Sequence, residues 1–144
     1  MTSLEQLKQD YADVIPVVVK WGEMDAFQHV NNTVYIRYVE DGRLGIFGRI
    51  GMEKDLLATN KGPILASITC DYLAPVTYPD TLWVASNIKQ TSPKKITLEQ
   101  VIYSEKLGKL AAKCSSLCVY YDYSTLRSCE VTESIRQALQ EINS

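Results

Sequence analysis

One acidic side chain and the only histidine of the chain lie in a polar turn just before a helix-like pattern. Asp25 opens the turn, His29 follows four residues later, and the tandem asparagines Asn31 and Asn32 end it. Asparagine is a preferred residue at helix starts, because its side-chain oxygen accepts a free backbone N–H of the first turn. A helix start also carries a partial positive charge and unpaired N–H donors. The segment therefore predicts a carboxylate beside oxyanion donors, the two parts that acyl transfer requires.

The residues around this turn resemble the signature of the 4-hydroxybenzoyl-CoA thioesterase family, which has the hotdog fold. The resemblance rests on Asp25, the run 29–32, Tyr35, Tyr38, Glu40, Arg43 and a second block over residues 62–81. It extends from Val14 to Arg127. It implies an α+β hotdog fold, in which a curled antiparallel sheet wraps around one long central helix, as a single domain over residues 1–144. The implied activity is that of an acyl-CoA thioesterase, which hydrolyses an acyl thioester to the free acid and CoA.

The resemblance also implies roles for the residues of the turn. Asp25 would be catalytic, either as the nucleophile that attacks the thioester carbonyl or as the base that activates a water. The helix start near Asn32 would polarise that carbonyl, because the helix dipole favours negative charge there. The residues predicted to bind substrate around them are His29, Asn31, Thr33 and Tyr35.

Each of these residues also has a purely structural interpretation. Aspartate is common in turns, where it accepts hydrogen bonds from its own backbone. The two asparagines could simply cap the helix, and a lone histidine is more often structural than catalytic. Glu40 and Arg43 lie three residues apart on the helix and can pair, although Glu40 is also the second carboxylate that could serve in catalysis.

Gln28 is the clearest departure from the family, which usually has glycine directly before the histidine. Glycine tolerates a positive φ and close backbone approach. We therefore expect a turn that is either strained or reshaped, and an altered or narrowed acyl pocket. Two residues before Asp25, the second aspartate that the family often has is replaced by Glu23, which keeps the charge.

Lys94 and Lys95 follow a Ser-Pro turn and are predicted to bind the phosphates of CoA. The structural interpretation is that they are solvated turn lysines. The sequence has no glycine-rich phosphate loop of the GxGxxG or GxxxxGK type. No resident cofactor is expected, since CoA is part of the substrate.

Two other functions are compatible with the same residues. A hotdog dehydratase or hydratase would use a histidine and a carboxylate, for which His29 and Glu40 are available. A non-catalytic protein that binds acyl thioesters, or a structural dimer, would retain only the fold. The presence of Asp25 favours the thioesterase.

Composition narrows the class of protein. The chain has 144 residues, which suits one domain, and a net charge of −2, which suggests neither nucleic acid nor an anionic membrane surface as a partner. No apolar run reaches the roughly 18 residues of a membrane span. The polar N-terminus lacks an apolar signal core, which predicts a cytoplasmic location.

The four cysteines form no CxxC pair and one histidine cannot complete a usual zinc set, so no metal is expected. Cys114 and Cys118 are predicted to be buried thiols on one face of a strand.

The elements that must position the turn can be predicted from periodicity. A short helix carries Leu4, Leu7 and Tyr11, and the longest helix covers 32–49, with a final helix from Thr132. The predicted strands are 14–21, 64–73, 81–91, 95–105 and 110–123, the last four joined by hairpins. Gly42 and Gly45 inside the long helix predict close approach of another backbone. The resemblance implies sheets joined edge to edge in a homodimer or homotetramer, with active sites at the interface.

Overall fold

The computed structural model describes residues 2–144, in which one long helix lies against an antiparallel sheet. The helices are α1 (Leu4–Asp10), α2 (Asn32–Arg49), α3 (Met52–Thr59) and α4 (Glu133–Ile142). The strands are β1 (Asp13–Val18), β2 (Lys61–Tyr72), β3 (Thr81–Ser92), β4 (Lys95–Ser104), β5 (Lys109–Asp122) and β6 (Arg127–Ser128). The strand order is β1-β3-β4-β5-β2, with β6 paired to β5. The prediction of an α+β protein with an antiparallel sheet is confirmed.

Buried and less buried residues alternate along the central strands, and the buried ones form the face of the sheet that packs against α2. The alternate residues of β3, β4 and β5 are buried and include Leu82, Val84, Ile88, Ile96, Leu98, Ile102, Ala112, Cys114 and Cys118. The side of helix α2 that packs against this face is a stripe of buried residues at spacings of three and four, which includes Tyr35, Val39 and Ile46. Each such aliphatic side chain stabilises the fold by about 1.5–3 kcal/mol on burial. Both predicted thiols, Cys114 and Cys118, are buried on this face.

The two glycines of α2 mark the closest approach of the helix to the sheet. A Cβ added at Gly42 would lie 2.4 Å from Cγ1 of Val84, and one at Gly45 would lie 2.9 Å from Oδ2 of Asp13. The approaching atoms belong to strand side chains and not to another backbone, which corrects the prediction. The opposite side of α2 is not covered within this chain, since Leu44 is 61% exposed.

The first strand is shorter than predicted. It ends at Val18, and Trp21–Glu23 form a 3₁₀ turn. The Glu23 side chain explains this turn, because its Oε1 accepts a hydrogen bond from Lys20 N–H at 2.7 Å. The chain is thereby drawn out of the sheet immediately before the candidate site.

The connection between β2 and β3 is also not the predicted hairpin. Strand β2 pairs with β5, and among the four strands predicted to join by hairpins only the β3-β4 and β4-β5 connections are hairpins. The connecting segment 73–80 contains Pro75 and Pro79, which have no N–H to donate to a ladder. This segment instead passes the start of α2, where Val76 O accepts from Val30 N–H at 2.8 Å. No helix in the described residues is long and apolar enough to cross a membrane.

Candidate active site

The turn that holds Asp25 is closed by backbone hydrogen bonds. Met24 and Val30 form an isolated antiparallel bridge, and within it Asp25 N–H donates to His29 O at 2.8 Å. Gln28 has a φ of 63°, the left-handed conformation that favours glycine. Gln28 therefore adopts the left-handed conformation that favours the glycine usual at this position in the family. Of the strained and the reshaped turn that the sequence allowed, the strained turn is observed.

The Asp25 side chain is exposed and makes one local contact. Its Oδ1 accepts a hydrogen bond from Phe27 N–H at 2.9 Å, as expected for an aspartate in a turn. The structural interpretation is therefore correct for this oxygen. Within residues 2–144, Oδ2 accepts no hydrogen bond, which leaves one carboxylate oxygen held in place and unengaged.

The start of α2 offers fewer free donors than the three predicted. Asn31 is the N-cap, and its Oδ1 accepts from both the N–H and the Oγ1 of Thr33, each at 2.9 Å. The N–H of Asn31 donates to Glu23 O at 3.0 Å. The N–H of Asn32 donates to none of the described residues. Of the predicted oxyanion donors, Asn32 alone retains a free backbone N–H at the positive end of the helix.

Glu23 and Tyr38 fix this turn to the helix. The Tyr38 hydroxyl donates to Oε1 of Glu23 at 2.8 Å, the same oxygen that accepts from Lys20 N–H. Burial, followed by the Glu23 carboxylate, raises the pKa of Tyr38 well above its usual range. Tyr38 therefore remains a donor, and Glu23 acts here as a positioning residue.

Tyr35 has its hydroxyl fully engaged by the segment before β3. The hydroxyl donates to Ala74 O at 2.9 Å and accepts from Val76 N–H at 2.8 Å, and the residue is buried. Burial raises the pKa of Tyr35, which keeps the hydroxyl protonated. Only the ring of Tyr35 is left to contact a substrate.

A pocket of about 320 Å³ lies beside the start of α2. It is lined by His29, Val30, Tyr35, Tyr72, Leu73, Ala74 and Pro75. Tyr72 was missed as a functional candidate, although it lies in the second block that resembles the family. Its hydroxyl donates to Asn32 O at 3.0 Å, and its ring packs edge-on against Tyr35 at 5.1 Å between centroids. An aromatic residue at the very end of a strand was the only sequence signal available for it.

Lys94 and Lys95 lie at the other end of the molecule. Lys94 O accepts from Tyr120 N–H, and the Tyr120 hydroxyl reaches Asp55 in α3, beyond the C-terminus of α2. The 18 residues of α2, roughly 27 Å of helix, separate this end from the turn. Within one chain, the structure does not bring the two lysines to the turn. The Glu40–Arg43 pair forms on α2 as predicted, at 3.7 Å.

Comparison with known proteins identifies the family of the chain. Residues 19–139 match the family described as the thioesterase-like superfamily. The chain belongs to this superfamily. Both the predicted hotdog fold and the predicted enzyme class, a thioester hydrolase, are thereby confirmed.

Three similar proteins are about a quarter identical to this chain over the aligned residues. The long-chain acyl-CoA thioesterase FadM of Escherichia coli is 25% identical over 126 residues, which cover 88% of this chain and 96% of FadM. The chloroplastic acyl-acyl carrier protein thioesterase ATL3 of Arabidopsis thaliana is 27% identical over 115 residues, 79% of this chain and 60% of ATL3. The PA2801 protein of Pseudomonas aeruginosa superposes with a TM-score of 0.78 at 28% identity, covering 90% of this chain and 98% of PA2801.

In the described residues, no group of three or more His, Cys, Asp or Glu side chains could hold a metal ion.

Proposed function

We propose that this member of the thioesterase-like superfamily hydrolyses acyl-CoA thioesters, with Asp25 and the start of α2 as its catalytic parts. The observation that carries the proposal is that one closed turn holds both an exposed, half-engaged carboxylate, Asp25, and, seven residues later, the free N–H of Asn32. The name of FadM, a long-chain acyl-CoA thioesterase, supports the substrate class.

The proposed reaction uses the two parts in sequence. The thioester carbonyl oxygen accepts a hydrogen bond from the Asn32 N–H. The helix dipole stabilises the negative charge that develops on this oxygen. Asp25 then either attacks the carbonyl carbon, which forms a mixed anhydride and expels the CoA thiolate, or takes a proton from a water that attacks the same carbon. In both routes water supplies the hydroxyl of the acid product, and the CoA thiolate leaves. The hydrogen bond from Phe27 N–H keeps the carboxylate oriented in either case.

The proposed enzyme is a homodimer or homotetramer built on the free edge of β2. This strand has 12 residues and pairs on one side only, with β5. Ile64 and Leu65 on it are 39% and 40% exposed. A long apolar edge strand is a template for pairing with another chain. A twofold axis through β2 would pair it antiparallel with its own copy, and each strand start would then lie beside the partner strand's end.

This assembly would complete the substrate site. An apolar groove of about 500 Å³ at the start of β2 is lined by Leu44, Phe47, Gly48, Met52, Glu53, Leu56, Gly62, Pro63 and Tyr123. The pocket beside Asn32 lies at the opposite end of β2, next to Tyr72. Pairing of two β2 strands therefore places the groove of one protomer near the pocket of the other, which suits an apolar acyl group. It also moves the partner's Lys94 and the partner's Lys95 toward the site, where their charges would bind CoA phosphates.

Thiol release from defined thioesters tests this function. The full chain is mixed with acyl-CoA esters of short, long and aromatic acyl groups, and with the matching acyl carrier protein thioesters, in the presence of a thiol reagent. We expect turnover and release of CoA. A change in enoyl absorbance without thiol release would indicate a hydratase, and saturable binding without either change would indicate a carrier. Sedimentation at micromolar concentration, with no major monomer, checks the assembly.

A further inference from the structure

Cys70 and Cys114 face each other across two neighbouring strands. They are register partners in the ladder between β2 and β5, and both are free thiols. One hydrogen bond fixes the kind of pair they form. Leu73 N–H donates to Ala111 O at 2.9 Å, directly after the partners Tyr72 and Ala112.

Hydrogen-bonded and non-hydrogen-bonded pairs alternate along an antiparallel ladder. The register is continuous from Tyr72 to Ser67, so the pair three steps from Leu73, formed by Cys70 and Cys114, is non-hydrogen-bonded. In such pairs the Cα atoms are about 4.5 Å apart and the side chains stand closest. Disulfides are found at Cα separations of about 4.4–6.8 Å. The two strands therefore need no shift to accept a bridge.

The two thiols differ in access to solvent. Cys70 is half-buried, whereas Cys114 is 2% exposed. Burial, followed by a hydrogen bond with Cys70, raises the pKa of Cys114, so this thiol stays protonated beside its partner. The arrangement is that of an accessible cysteine next to a resolving one. The other buried cysteine, Cys118, has Leu65 and Ile96 as its register partners and therefore no thiol opposite it.

We propose that Cys70 and Cys114 form a redox modification site, at which a hydroperoxide converts the two thiols into a reversible disulfide. The Cys70 thiolate attacks the peroxide, so that an S–O bond forms, the O–O bond breaks and an alcohol or water leaves. The Cys114 sulfur then attacks the Cys70 sulfur, an S–S bond forms, and the hydroxide that leaves takes the Cys114 proton as water. The two thiols lose two electrons in total, and the peroxide gains them.

The site lies directly beside the start of α2. Cys70 is two residues before Tyr72 on the same face of β2, and Tyr72 both contacts Tyr35 and donates to Asn32 O. The bridge would turn the Cys70 side chain toward Cys114, on the face of β2 that it shares with Tyr72, and so alter the packing of Tyr72 against the first turn of the helix. This consequence rests on the proposed function: we expect the bridge to reduce thioester hydrolysis and a dithiol reductant to restore it.

Peptide mapping of the oxidised chain tests the proposal independently of activity. The full protein is treated with hydrogen peroxide, remaining thiols are alkylated under denaturing conditions, and peptides are mapped without reductant. We expect the loss of two of the four alkylatable thiols and one linked peptide that joins Cys70 to Cys114 and disappears on reduction. A bridge between other cysteines, a link between chains, or oxidation of Cys70 beyond the sulfenic acid with Cys114 still free would overturn the proposal.

Variants sharpen the same measurement. Cys70→Ser should abolish the linked peptide, whereas Cys129→Ser, at a half-buried position without a paired thiol, should form it as the parent does. The wild-type map decides the question even if a variant at the buried Cys114 does not fold. A reduced protein that hydrolyses no thioester would contradict the proposed function while the map still showed whether the bridge forms.

Discussion

Two aspartates lie beyond opposite ends of helix α2, and their surroundings differ. Asp25, before the helix, is exposed and accepts one hydrogen bond from its own turn. Asp55, after the helix, is 4% exposed, and its Oδ2 accepts from the hydroxyls of Tyr120 at 2.6 Å and Thr132 at 2.9 Å. Burial, followed by this hydrogen bond, raises the pKa of Tyr120 and keeps it a donor.

The difference separates a carboxylate that serves the fold from one that is free for chemistry. A buried charge is tolerated only when hydrogen bonds replace water, so the partners of Asp55 are part of the structure that joins α3 to β5 and α4. An exposed carboxylate near a helix start needs no such partners and is stabilised by the dipole. Substitution at Asp25 should therefore alter turnover alone, and substitution at Asp55 should alter stability.

Asp25→Asn should have the largest effect on activity. The amide is isosteric but is neither a nucleophile nor a base, so kcat should fall at least about 10²-fold. Thiol release from the best acyl-CoA measures kcat, and thermal unfolding should show an unchanged transition. Near wild-type turnover would remove Asp25 from the catalytic role and leave it as a turn residue.

Asp55→Ala should have the largest effect on stability. It leaves the buried Tyr120 and Thr132 hydroxyls without their shared acceptor, which should cost about 3 kcal/mol in the free energy of unfolding. Urea unfolding monitored by circular dichroism measures the loss. The fraction that remains folded should retain parental kcat. A selective loss of kcat without a loss of stability would contradict the assignment of Asp55 to the fold and of Asp25 to catalysis.

Most of the local structure could be predicted from the sequence because its causes are local. The Asn31 cap and the glycine after Ile50 define α2 between the residues expected, and alternation locates β3, β4 and β5 to within a residue or two. The pairing of β2 with β5 could not be predicted, since a segment with two prolines leads away from the expected hairpin. The candidate site divides similarly: the turn was found by its motif, but the role of Tyr72 depends on a contact with Asn32 across 40 residues of chain.

Tyr35→Phe should have an intermediate effect, since it alters the packing that holds the active end of α2. The substitution keeps the ring but leaves the buried Val76 N–H without its acceptor, so the free energy of unfolding should fall by about 1–3 kcal/mol. Tyr72→Phe is a matched control, because its hydrogen bond to Asn32 O is exposed and should cost less. Equal losses in the free energy of unfolding for the two variants, measured by urea unfolding, would show that the buried hydrogen bond from Val76 N–H stabilises the fold no more than the exposed one does.

Gln28→Gly should have the smallest effect on stability and a specific effect on selectivity. Glycine relieves about 1 kcal/mol of strain at φ 63°, but it also adds a similar entropy to the unfolded chain, so the two terms nearly cancel. Loss of the amide side chain should broaden or shift acyl preference while hydrolysis still depends on Asp25. Gln28→Ala is the matched control, because it removes the same side chain but retains the strained backbone. If the side chain narrows the acyl pocket, both variants should change the ratios of kcat/KM across short, long and aromatic acyl-CoA esters. A change in Gln28→Gly alone would assign the effect to the backbone, and unchanged ratios in both would show that the side chain points away from the substrate.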